Sequence, residues 1–104
     1  MRLNDVLLEK QNYETIFTEI MNIVNEYGTE DMKKWYSKEI PETIKEVKSS
    51  LKKMDRIQWM LKYTRIVYLN GLTRYEVIPE EVRQEIIEKR DKYLSQMGMT
   101  RQDL

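Results

Sequence analysis

Apolar residues recur at helical spacing along most of this chain. Tyr13, Ile16, Phe17, Ile20, Met21, Val24 and Tyr27 fall at offsets of three and four from one another, the spacing of one buried helical face. They predict a first helix over residues 4–27, with Asn4 and Asp5 at its start and Gly28 just past its end. Thr29 is placed to cap a short second helix, Glu30 to about Lys38, whose Met32, Trp35 and Tyr36 face inward. Pro41 predicts a break before it and suits the first turn of a third helix, PETIKEVKSSLKKM. In that helix Ile44, Val47, Leu51 and Met54 stand at offsets 0, 3, 7 and 10, and Ile57 continues the series to 13. Together residues 29–57 read as a helix-turn-helix.

The pattern then changes. RIVYLNGLTRYEV, residues 65–77, places β-branched and aromatic runs on either side of Asn70-Gly71, a pair suited to a type I′ hairpin turn. In that register Ile66 faces Tyr75 and Arg65 faces Glu76, both favourable cross-strand pairs. As helix interior, Asn-Gly costs about 1–1.5 kcal/mol relative to alanine. The sequence therefore predicts a ribbon within residues 58–78. Its first strand begins as early as Ile57, or the third helix runs on to about Lys62; both readings stay open. A last helix, residues 79–97, starts at Pro79 with glutamates in its first turn and has Gly98 beyond its end. It carries two apolar stripes, Val82, Ile86, Tyr93 and Met97 beside Ile87 and Leu94. That is more than a small core uses, so these six residues are the candidate homodimer interface.

Composition narrows the chemistry. The 104 residues contain no cysteine and no histidine. The commonest general base near neutral pH is absent, and so are thiolate and imidazole metal ligands. No Gly-rich phosphate loop or nucleophile-elbow pattern is present. No catalysis, cofactor or metal is expected. The chain has no apolar run long enough to span a membrane and no disulfide framework, so a cytoplasmic setting is the expectation. Trp35, Tyr36 and Trp59 read as core residues.

Charge is the informative quantity. The whole chain is neutral, yet residues 43–75 hold eight basic residues and two acidic ones (eight minus two, or +6), leaving −6 elsewhere. On the third helix, at about 100° per residue, Ile44, Val47, Leu51 and Met54 share an arc of roughly 80°. Lys45, Lys48, Ser49, Lys52 and Lys53 lie on the other side of the cylinder. One face enters the core and the other suits contact with phosphates.

The order helix, short helix, turn, helix, hairpin, helix resembles a winged helix-turn-helix domain of small archaeal and bacterial transcription regulators. The segments IVNEYGTEDMKKWY, IPETIKEVKSSLKKMDRI and TRIVYLNGLTRYEVIPEEV carry the resemblance over residues 13–97. It implies a mainly α fold with a small β-hairpin and an additional C-terminal helix. It also implies a transcriptional regulator that occupies double-stranded DNA. The expected contacts are Lys45, Lys48, Ser49, Lys52 and Lys53 on the recognition helix, with Lys62 and Arg74 on the wing. The alternative is a non-enzymatic, all-helical interaction or assembly protein, such as a small viral inhibitor. Residues 42–69 then form one helix ended by Asn70-Gly71, in which KKMDRIQWMLKYTRIVYL resembles the Arg-plus-Tyr helix of GINS replication-complex subunits.

Overall fold

The computed structural model describes residue 13 and residues 15–104; the expected helix start at Asn4 and Asp5 lies outside the described residues. The first helix is not continuous through Ile16 and Phe17, which form a turn before Thr18. Among the described residues four helices follow in order: α1 Thr18–Tyr27, α2 Glu30–Ser50, α3 Met54–Leu72 and α4 Glu80–Gln96, with a 3-10 turn at Arg101–Asp103. Among the described residues there is no strand. The core runs between the helices from Phe17, Ile20 and Val24 on α1 and its approach, through Tyr36 and Ile40 on α2, to Leu61, Leu69 and Leu72 on α3 and Ile86 on α4.

Two expectations are overturned by the same physics. Pro41 does not break the second helix: Glu30–Ser50 is continuous through it. An interior proline removes one hydrogen bond and costs about 3 kcal/mol. Against this, Met32, Tyr36, Ile40, Ile44 and Val47 form one unbroken stripe, the first three buried and the last two packed against the core. Each fully buried large side chain contributes about 1.5–3 kcal/mol, so the stripe outweighs the missing rung. Thr29 caps the start, its hydroxyl accepting from the Met32 amide at 3.2 Å.

The second correction concerns the ribbon. Residues expected as its first strand are the second half of α3, which passes through Asn70-Gly71 and ends at Leu72. Ile66, Leu69 and Leu72 are fully buried while Val67 is 42% exposed, a helical and not an alternating pattern. Asn70 has a partner the sequence does not reveal. Its side-chain oxygen accepts from the Arg90 guanidinium on α4 at 2.8 Å, and Arg90 is itself 8% exposed. A hydrogen bond to a charged group contributes about 1.5–3 kcal/mol, more than the helix penalty of Asn-Gly.

The expected second strand is a run of turns. Arg74 N–H donates to Gly71, Tyr75 N–H to Leu72 and Ile78 N–H to Tyr75. Arg83 on α4 holds this turn by donating to the Tyr75 carbonyl at 3.0 Å and the Ile78 carbonyl at 3.2 Å. No Arg65–Glu76 pair exists among the described residues; the Arg65 guanidinium lies over the Tyr93 ring instead, 3.6 Å from its centroid. The Tyr93 hydroxyl donates to the Glu19 carboxylate at 2.9–3.0 Å, and Lys89 approaches that carboxylate at 3.4 Å. This chain of contacts fastens α1, α3 and α4 together.

Without a wing the winged helix-turn-helix fold is excluded. Its recognition helix is absent as a unit as well. Ile44 and Val47 belong to α2, Leu51 follows that helix, and Met54 and Ile57 belong to α3.

Candidate interaction groove

A concavity lies between the approach to α1 and the middle of α2. It is an open, mainly apolar groove of about 800 Å³. Its position follows from helix geometry. Phe17 and Met21 are one turn apart on one wall, and Tyr36, Ile40 and Ile44 are successive turns on the other. Phe17, Tyr36 and Ile40 are buried floor residues, while Met21 and Ile44 stand half-buried above them. Pro41 lies in the α2 wall and brings no N–H with it.

The floor carries no charge. Burial pushes the Tyr36 phenol well above its ordinary value, and neighbouring Tyr75 adds to this. Tyr68, raised chiefly by burial, packs edge-on against Tyr36 at 5.9 Å between centroids and shares a 2.9 Å hydrogen bond with Thr43. Both hydroxyls therefore remain neutral through the physiological range.

Lys45 and Lys48 are the charged residues among the groove's described lining. Lys48 extends over the Tyr13 ring at 5.6 Å. Ser49 lines the same end, but its hydroxyl donates back to the Glu46 carbonyl at 2.9 Å, which occupies its donor.

The seven expected DNA contacts thus occupy three separate places. Lys45, Lys48 and Ser49 edge the groove. Lys52 and Lys53 lie in the connection between α2 and α3, with Lys62 two turns into α3. Arg74 follows the far end of α3, a helix of 19 residues and so roughly 28 Å long. Lys52 and Arg74 cannot serve as helix and adjacent wing. All six cations are exposed, and none has a carboxylate within ion-pair distance among the described residues.

The expected dimer residues divide in a similar way. Ile86 and Leu94 are 1% and 2% exposed, taken up inside the chain. Val82 and Tyr93 pack against the core, and Ile87 and Met97 are half-buried. Trp35 and Trp59, expected in the core, are 49% and 48% exposed. Trp35 borders a shallower hollow with Met32, Tyr75, Val77 and Asp31.

Phe17, Met21, Tyr36 and Ile44 are legible in the sequence as helix-face residues but not as a shared concavity, and Ile40 falls in the expected break. The one available signal was Pro41 between Ile40 and Ile44, which sequence reasoning took for a boundary. Among the described residues no cluster of acidic side chains is arranged to hold a metal, and no helix is long and apolar enough to cross a membrane. Comparison with known proteins adds no relative: no family model matches the chain, and no significantly similar curated protein or solved structure was found.

Proposed function

We propose that this protein works by binding: a helical interaction module that takes an acidic, amphipathic helix of a partner protein into the α1–α2 groove. The observation that supports this reading is the lining itself, mainly apolar with Lys45 and Lys48 at the edge. An amphipathic helix laid in a groove is anchored by apolar side chains at helical spacing. Carboxylates beside those anchors meet the two lysines, favouring approach and orientation more than affinity. Catalysis has no part in this reading, and an intracellular setting accords with a cysteine-free chain.

The test is an isotope-labelled titration of the full chain with two short amphipathic peptides. They share one leucine stripe and carry either glutamates or lysines beside it. The glutamate peptide is expected to shift the amide signals of Met21, Ile40, Ile44 and Lys48, and the lysine peptide to leave them in place. Lys45→Glu/Lys48→Glu should reverse that preference. Equal responses, or none, would reject the reading. Loss of salt-sensitive duplex-DNA binding in the same double variant would return the function to DNA occupancy. Concentration-dependent shifts at these residues without peptide would make a second copy of the chain the occupant.

A further inference from the structure

A separate surface carries features the groove does not use. Trp59 and Tyr63 stand one turn apart on α3 with their rings parallel, 5.7 Å between centroids and 3° between planes. Trp59 is 48% exposed, so one indole face meets Tyr63 while substantial ring area remains in water. The Tyr63 hydroxyl lies 3.5 Å from the Asp103 carbonyl, placing the C-terminal turn beside this ring. A ring pair so arranged is a flat, preformed platform on which another planar group can stack.

Its surroundings identify the chemistry. At about 100° per residue, Arg56 and Lys62 lie about 60° to either side of Trp59 around the helix. Lys52 and Lys53 lead into the same helix. All four are exposed and make no ion pair among the described residues. Asp55, in the first turn, is the one acidic residue between Lys52 and Tyr63. An aromatic face flanked by unpaired cations offers stacking to a nucleobase and neutralisation to the phosphates on either side of it. A duplex keeps its bases stacked internally and presents only edges and backbone; a ring on a convex helix gains its stacking contact from an unpaired strand alone.

We propose that the Trp59–Tyr63 ridge of α3 binds single-stranded nucleic acid. A base stacks on the outer face of Trp59, and Arg56, Lys62 and the Lys52-Lys53 pair neutralise the adjoining phosphates. The inference rests on residues outside the groove, so it stands or falls independently of the groove's partner.

The chain has two tryptophans, which allows a direct optical test. In Trp35→Phe the remaining indole emission comes from Trp59. Adding a short oligothymidylate to this otherwise full chain should quench that emission, and the same strand annealed to its complement should quench it far less. Trp59→Ala should weaken oligothymidylate binding roughly ten- to hundred-fold, measured by anisotropy of a labelled strand. Trp59→Tyr should restore most of the affinity. Arg56→Gln/Lys62→Gln should reduce the slope of log affinity against log salt by about 1.4, the value for two phosphates on a single strand. An unchanged circular dichroism spectrum excludes unfolding as the cause in each variant. The inference is overturned by absence of binding at low salt or by duplex bound as tightly as single strand. It is overturned equally by an affinity indifferent to Trp59→Ala. Quenching by the acidic peptide and not by the oligonucleotide would also overturn it, and would assign the ridge to a protein partner.

Discussion

Asn70-Gly71 and Met97-Gly98 present similar signals, a glycine after a helical run, and the chain treats them oppositely. At Gly98 the helix stops. Gly98 adopts φ +67°, its N–H donates to the Ser95 carbonyl, and the Met99 N–H reaches back to Leu94 at 2.9 Å, the Schellman arrangement. At Gly71 the helix continues to the next residue with no positive φ. The difference lies in what the neighbouring residues contact. Asn70 is bonded to Arg90 and stands between two fully buried leucines, whereas beyond Gly98 the chain is largely exposed until the Arg101–Asp103 turn. A local stop signal ends a helix only where nothing beyond it holds the next turn in place.

The largest effect should come from the buried side of the first site. Leu69→Ala is expected to destabilise the fold by about 2–5 kcal/mol, read by chemical denaturation. Val67→Ala, on the outer face, should change stability by about 0.5 kcal/mol or less. In a strand these two residues share a face and respond alike, so similar losses would restore the ribbon. Next, Asn70→Ala removes the acceptor of a nearly buried guanidinium and should cost about 1–3 kcal/mol. In an Arg90→Met background the same change should cost much less, which a double-mutant cycle measures.

The two glycines themselves should differ in sign. A side chain at Gly98 meets left-handed backbone, and Gly98→Ala should destabilise by about 1–2 kcal/mol. At Gly71 an added Cβ has no atom within 4 Å, and Gly71→Ala should stabilise by about 0.5–1 kcal/mol. Equal signs would mean that the two backbones are alike.

The smallest effect concerns the segment beyond Gly98. The Arg101 hydrogen bond first, then Arg90, holds the Asp91 carboxyl below its ordinary range, and Arg101 reaches it at 2.8 Å. A carboxyl lowered in the folded state contributes stability that is complete above the unfolded value and is lost as pH falls through the folded one. The Asp91 side-chain carboxyl signal should therefore titrate below the ordinary aspartate range. Arg101→Ala should move that titration upward, with Arg90 keeping part of the effect. The pair is exposed enough that global stability changes little.

These comparisons show which features the sequence carries openly. The apolar stripes of the first and last helices, the Thr29 cap and the Gly98 stop are local: each is set by residues within one or two turns. The mainly helical character was legible for that reason. Pro41 and Asn70-Gly71 were misleading because the compensation comes from elsewhere in space. For Pro41 it is the α2 stripe packed against α1 and α3, and for Asn70 a guanidinium twenty residues later. The basic segment was legible as charge but not as a surface. Its interpretation as one helix face failed once residues 51–53 divided it between α2 and α3. The groove was invisible because a concavity belongs to two helices at once. Trp59 was misread because type alone makes tryptophan a core residue, while its exposure is settled by which side of α3 its neighbours leave open.

The Glu19–Tyr93–Arg65 contact has a kinetic consequence. Consecutive helices are joined by short connections, at 28–29, 51–53 and 73–79, so most of the pairing is between neighbours in the chain. Such local topology favours folding on the microsecond-to-millisecond scale. The Tyr93–Glu19 hydrogen bond instead joins residues 74 apart and closes the longest loop among these contacts, a step whose entropic cost grows with loop length. The α1–α2, α2–α3 and α3–α4 hairpins can each form before that loop is closed. The groove, formed by α1 and α2, thus belongs to a local pairing, and the Tyr93–Glu19 bond fixes α4 against α1 across the longer loop.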